Sequence, residues 1–157
     1  MLYPEVSNTV SDLPPLFLHH GFTGDHVVDF VDTGLIDLLV AAGRNVVALD
    51  ARGHGQSDAP HLLASYGNRR MAHDVMQLAD HLGVQRYDLL GFSMGGFIGL
   101  WAAILDHRVR KLILTGVGGS MIEQGRPDPH ALDLLQMADW LDAANEGLIE
   151  GAGEIGR

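Results

Sequence analysis

The chain has 157 residues, enough for one domain, and 46% of them are hydrophobic, so it can bury a real core. Twenty acidic against ten basic residues leave a net charge of −10, which argues against nucleic acid or an anionic membrane surface as a partner. The sequence contains no cysteine, which excludes disulfides, thiolate metal sites and a cysteine nucleophile.

No apolar run reaches the ~18 residues of a membrane-spanning helix. The start, Met1-Leu2-Tyr3-Pro4-Glu5, lacks the basic and apolar segments of a signal peptide, so the cytoplasm is the expected compartment. Residues 1–14 read as irregular or as one marginal edge strand. The apolar run 15–19 is too short for a helix and predicts a strand, with a loop at 21–25. Over 32–42, Leu35, Leu38, Leu39 and Ala42 recur at helical spacing before the stop signal Gly43. Residues 45–49 form a β-branched strand, and 50–65 read as loop. Asn68 is placed to cap a helix whose stripe is Met71, Val75, Leu78, Ala79 and Leu82, ending at Gly83. Strands follow at 87–90 and 111–115, with an uncharged helix between them at 96–105. Asp128-Pro129 then starts a helix running to about residue 144.

Strand and helix alternating at this spacing predict right-handed crossovers and a parallel sheet with helices on both faces, an α/β fold. Its strands are apolar on both sides, as a covered sheet requires.

The stretch Leu89-Leu90-Gly91-Phe92-Ser93-Met94-Gly95-Gly96 carries the chemistry. A Gly-x-Ser-x-Gly between a strand and a helix is a nucleophile elbow, a turn that holds one hydroxyl clear of the backbone. Ser93 is the nucleophile candidate. The N–H of Met94, at the head of the following helix, lies where the helix dipole favours a developing negative charge.

Two further motifs accompany it. Leu16-Phe17-Leu18-His19-His20-Gly21-Phe22 is a strand followed by His-Gly. Asp50-Ala51-Arg52-Gly53-His54-Gly55-Gln56-Ser57-Asp58 follows the second strand. In this order and spacing the three resemble the α/β-hydrolase fold family over roughly residues 13–120. The resemblance implies a three-layer sandwich whose strand order reverses between 15–19 and 87–90, which sets Gly21 and Phe22 across one crevice from Ser93. It implies Phe22 and Met94 as the backbone oxyanion donors, and a carboxylic-ester hydrolase acting through an acyl-enzyme on Ser93. Serine at the elbow disfavours the branches that use aspartate there; perhydrolases and carbon–carbon-bond hydrolases keep the serine. No cofactor is implied. From a different class, the alternative is a non-catalytic fragment or interaction protein that retains the sheet.

The family's acid and histidine lie further along the chain than Arg157, so the expectation is an N-terminal half truncated after the strand at 111–115. It comprises residues 1–120 of the core and a helical segment, 121–157, like the start of a cap. The histidines after Ser93 are His107, at the wrong end of the sheet, and His130, the one base that can be nominated. An open edge at 111–115, apolar but for Lys111, predicts self-association or pairing with a complementary C-terminal fragment.

Asp50, Arg52, His54 and Ser57 read as scaffolding rather than as a triad. Nine histidines invite a metal reading, yet no ligand spacing occurs. His19 and His20 are expected on opposite faces of their strand, and His73 and His81 on the polar side of their helix. A dinucleotide fingerprint at 91–96 fails because Ser93 replaces the middle glycine.

Overall fold

The computed structural model describes residues 4–7 and 12–118. The chain divides into two compact units, Met1–Val117 and Gly118–Arg157, and the account below concerns the first. The segment 121–157, the helix expected at 128–144 and its His130 lie outside the described residues.

Five strands form one sheet: β1 (Pro4–Ser7), β2 (Leu16–His19), β3 (Val46–Leu49), β4 (Tyr87–Phe92) and β5 (Val109–Thr115), in the order β1-β3-β2-β4-β5. Strand β2 pairs in parallel with β3, Leu16 opposite Val46, and with β4, Leu16 opposite Asp88. Strand β5 continues the parallel run beside β4, while β1 lies antiparallel on the outside of β3. The order reverses between β2 and β4, as expected, so the crevice opens beyond their carboxyl ends.

Successive side chains leave the strands on opposite sides and build two cores. On one side Phe17, Val47, Leu49, Tyr87 and Leu89 pack against α2 (Asn68–His81) and α3 (Met94–Leu105). On the other Leu16, Leu18, Val46 and Ala48 pack against Phe30 and α1 (Leu35–Ala41). Helix α2 ends as its sequence predicts. Gly83 takes φ +67°, and the Val84 N–H reaches back to Ala79 O at 2.9 Å, closing the last turn.

Several boundaries move. The first helix starts at Leu35, and a π-helical turn, Val27–Val31, precedes it. A five-residue turn has no period to read, and its start is held instead by Asp25 Oδ1, which accepts the Val28 N–H at 2.9 Å. The packed face of α1 is Leu35, Ile36, Leu39 and Val40, while Leu38, placed in the stripe by its spacing, is 70% exposed. Asn68 is the first residue of α2 and not its cap; Gly67 at φ +116° takes that position without a side-chain hydrogen bond. Strand β4 runs on through Phe92, α3 starts already at Met94, and a short 3₁₀ turn, Leu63–Ser65, interrupts the loop 50–65.

Helix α3 lies so close to β2 that a side chain at Gly95 has no room: a Cβ there would stand 2.1 Å from His19 O and 2.6 Å from its carbonyl carbon. Both are backbone atoms and neither can yield. Gly95→Ala is therefore expected to destabilise the fold by about 3 kcal/mol or more, at or beyond the ~1–3 kcal/mol of ordinary overpacking. Urea denaturation measures this; a loss under ~1 kcal/mol would show that α3 and β2 can separate.

Candidate active site

Ser93 joins β4 to α3 with φ +50° and ψ −113°, and it is the one non-glycine residue at positive φ among those described. Such a conformation costs on the order of 1–3 kcal/mol and persists only where its surroundings enforce it. Its N–H donates to Thr115 O at the end of β5, 2.9 Å away, and its carbonyl accepts the Gly96 N–H at 2.8 Å. A Cβ on Gly91 would lie 2.2 Å from Gly95 O, so only glycine permits the strand and helix to fold back on one another this tightly. Met94 heads α3, and its N–H donates no hydrogen bond to a described group.

Opposite the elbow, the loop after β2 is held atom by atom. The Gly21 N–H donates to Asp29 Oδ2 at 2.7 Å, Gly21 O lies 2.7 Å from His20 Nδ1, and Phe22 O lies 2.6 Å from His54 Nε2. Of the four main-chain polar groups of Gly21 and Phe22, these three are engaged by side chains; the Phe22 N–H donates to no described group. The loop is tied to the elbow by the Gly95 N–H, which donates to His20 O at 3.1 Å, and Phe92 fills the space against Gly21. The two spare N–H groups, of Phe22 and Met94, thus belong to segments hydrogen-bonded to each other.

The segment 50–58 is scaffolding, as its sequence suggests. Buried Asp50 accepts the N–H groups of His26 and Gln56, both at 2.9 Å, and faces the His26 ring nitrogen at 2.7 Å. Burial works to raise its pKa, but these donors outweigh it and hold the carboxyl below the ordinary range. Arg52 forms a two-pronged ion pair with Asp74, and Ser57 donates to Asp50 O at 2.7 Å. None of these side chains bonds to Ser93. His54 does more than tie down its own loop, since its far nitrogen meets Phe22 O.

His19 and His20 do not separate as strand alternation suggests. The strand ends at His19, and the two rings come to 5.6 Å centroid to centroid. Among the described residues no three acidic or histidine side chains group as metal ligands. His73 and His81 are exposed on α2. His107 is exposed in the connection entering β5, at the end of the sheet away from Ser93. The Ser93 hydroxyl makes no hydrogen bond to a described residue. A cavity of about 750 Å³ lies elsewhere, between Arg52, Tyr66, Arg69, His73 and Trp101, and neither Ser93, Phe22 nor Met94 lines it.

Beneath the loop, burial and then the neighbouring His20 ring push His19 down to about 3, and burial likewise lowers His20. The unfolded chain therefore binds protons below about pH 6.5 that the folded chain refuses. The contribution of His19 is complete above that pH and is lost as pH falls from 6.5 toward 3, and that of His20 is lost in the same direction. Urea titrations between pH 7 and 5 should show stability falling by up to ~1.4 kcal/mol per pH unit for each histidine held neutral. A flat profile over that range would contradict the assignment.

The fold has many counterparts among solved structures. A family model described as the alpha/beta hydrolase fold matches residues 14–153. The chain is 34% identical over 110 residues to 2-hydroxy-6-oxo-2,4-heptadienoate hydrolase of Pseudomonas putida, covering 69% of this chain and 39% of that one. An esterase from Exiguobacterium antarcticum superposes with a TM-score of 0.61 at 33% identity, over 72% of this chain and 40% of that one. Epoxide hydrolase A from Mycobacterium thermoresistibile does so with a TM-score of 0.67 at 27% identity, over 90% and 41%. The chain spans between 27% and 43% of the length of the curated relatives it matches. No described helix is long and apolar enough to cross a membrane. Matched by its family model over most of its length, and carrying the elbow and its facing loop, the chain belongs to the α/β-hydrolase fold family.

Proposed function

We propose that the protein is a carboxylic-ester hydrolase in which Ser93 attacks the ester carbonyl, while the N–H groups of Phe22 and Met94 stabilise the oxyanion. The observation that carries this reading is the strained Ser93 flanked by two uncommitted N–H groups, one on each side of the crevice. Donors fixed in advance need no reorganisation as charge develops, and each is worth roughly 10²–10³ in rate. The hydroxyl becomes a nucleophile when a base takes its proton; the tetrahedral intermediate then collapses, expelling the alcohol and leaving an acyl-enzyme that water hydrolyses. His130 is the proposed base within this chain.

The substrate is proposed to be a small ester, handled in the cytoplasm without a cofactor. Strand β5 closes the described sheet on one side, with Lys111 and Ile113 exposed. A second copy or a complementary segment supplying acid and histidine is the proposed neighbour of that edge.

A second reading is favoured by one relative. The Pseudomonas putida hydrolase is named for an oxo-dienoate, which makes carbon–carbon-bond hydrolysis at the same serine the alternative. An inert fragment, from a different class, would leave the hydroxyl unreactive.

Hydrolysis of short p-nitrophenyl esters tests the reading. The chain by itself is expected to work at a residual level, about 10³–10⁴-fold over water, as triads stripped of members do. Ser93→Ala should abolish acyl-enzyme formation with the fold intact, leaving only the background that the oxyanion donors and binding supply. Activity that survives Ser93→Ala but is lost to a chelator would overturn the serine assignment in favour of a metal site.

A further inference from the structure

We infer that His20 is a positioning residue for the oxyanion donor, holding and polarising the Gly21–Phe22 peptide through a hydrogen bond from Nδ1–H to Gly21 O. The inference rests on the serine-hydrolase reading above and adds to it a residue that touches neither nucleophile nor substrate.

The two nitrogens of this ring have distinct partners. The Ala51 N–H lies 2.9 Å from His20 Nε2. A backbone N–H can only donate, so Nε2 must carry a lone pair and the proton of the neutral ring must sit on Nδ1. Nδ1 in turn lies 2.7 Å from Gly21 O, which can only accept. One tautomer satisfies both contacts; the other satisfies neither, and the imidazolium sets two hydrogens against each other at Ala51. The ring is completely buried, leaving no water to rescue a wrong tautomer. Burial also favours the neutral form.

The acceptor matters as much as the donor. Gly21 O and the Phe22 N–H are the two ends of a single peptide group. A donor fixed on the oxygen fixes the plane of that group and hence the direction of the N–H. It also draws electron density toward oxygen and makes the N–H a stronger donor, as cooperative hydrogen-bond chains do. Asp29 and His54 fix the peptides on either side through the Gly21 N–H and Phe22 O. The peptide that bears the oxyanion donor has two bonds on its oxygen among the described residues: the short one to His20, at 2.7 Å, and a longer one from the Gly24 N–H, at 3.4 Å. His20 is thus its only side-chain partner and its closer one. Glycine at 21 suits this, because a Cβ there would press on the Phe92 ring at 3.1 Å, next to Ser93.

The test has two arms. Imidazole ¹⁵N NMR of the full chain at pH 7, with His20 assigned by its loss in His20→Asn, should show a neutral ring protonated on Nδ1. An Nε2–H tautomer or an imidazolium overturns the inference, whatever the enzyme does. The second arm is the rate at which an alkyl fluorophosphonate labels Ser93. His20→Leu should slow labelling about 10–100-fold, less than or up to the loss of a whole oxyanion donor. His20→Asn keeps an amide N–H near the place of Nδ1–H and should restore most of the rate, which a packing defect would not do. Equal slowing in both folded variants, or in neither, overturns the inference. Absence of label on the unmodified protein would defeat the serine-hydrolase reading alone, and the tautomer would still decide the hydrogen bond to Gly21.

Discussion

The proposed chemistry depends on a backbone turn that no isolated peptide would hold. Ser93 at φ +50° is unfavourable by itself, and its neighbours make it the only conformation available. Thr115 O takes its N–H, Gly91 and Gly95 let the strand and helix touch, and His20 O receives the Gly95 N–H. Each contact comes from a different strand, β5, β4 or the end of β2. The sheet must therefore be assembled before the turn can exist, and the turn reports that assembly.

From this follows the division of labour across the crevice. The reversal of strand order between β2 and β4 leaves a gap that no crossover helix covers at their carboxyl ends, and both segments with spare N–H groups open into it. Around them the polar side chains are engaged. Asp50, Arg52, His54 and Ser57 bond to main chain or to buried partners, and their effect is to stiffen the loop facing Ser93. Rigidity of this kind is what electrostatic stabilisation of an oxyanion requires, since a donor that must first reorient contributes less.

Much of this was legible in the residues. The Gly-x-Ser-x-Gly element, the His-Gly after the first strand and the alternation of apolar strands with helical stripes placed the elbow and the facing loop, while the reversal of the sheet followed from the family resemblance. What stayed hidden was contact across long sequence distances. The role of His20 needs Ala51, 31 residues on, to choose its tautomer, and no local pattern announces that pairing. The π-helical turn that presents Asp29 to Gly21 has no periodicity to detect. Leu38 satisfied the helical spacing and is nonetheless exposed, because the packed stripe of α1 runs through Ile36 and Val40. A histidine and an acid placed beside Gly-rich loops did carry one usable signal: short polar side chains there tend to bond backbone, and they do.

The claim that Phe22 and Met94 form one oxyanion site with Ser93 is tested most directly by a crystal structure of the phosphonylated protein. The account predicts phosphorus bonded to Ser93 Oγ and one phosphonyl oxygen within ~3 Å of both N–H groups, as an oxyanion hole requires. A phosphonyl oxygen turned to solvent, with either N–H bonded elsewhere, or a label on another side chain, would contradict it.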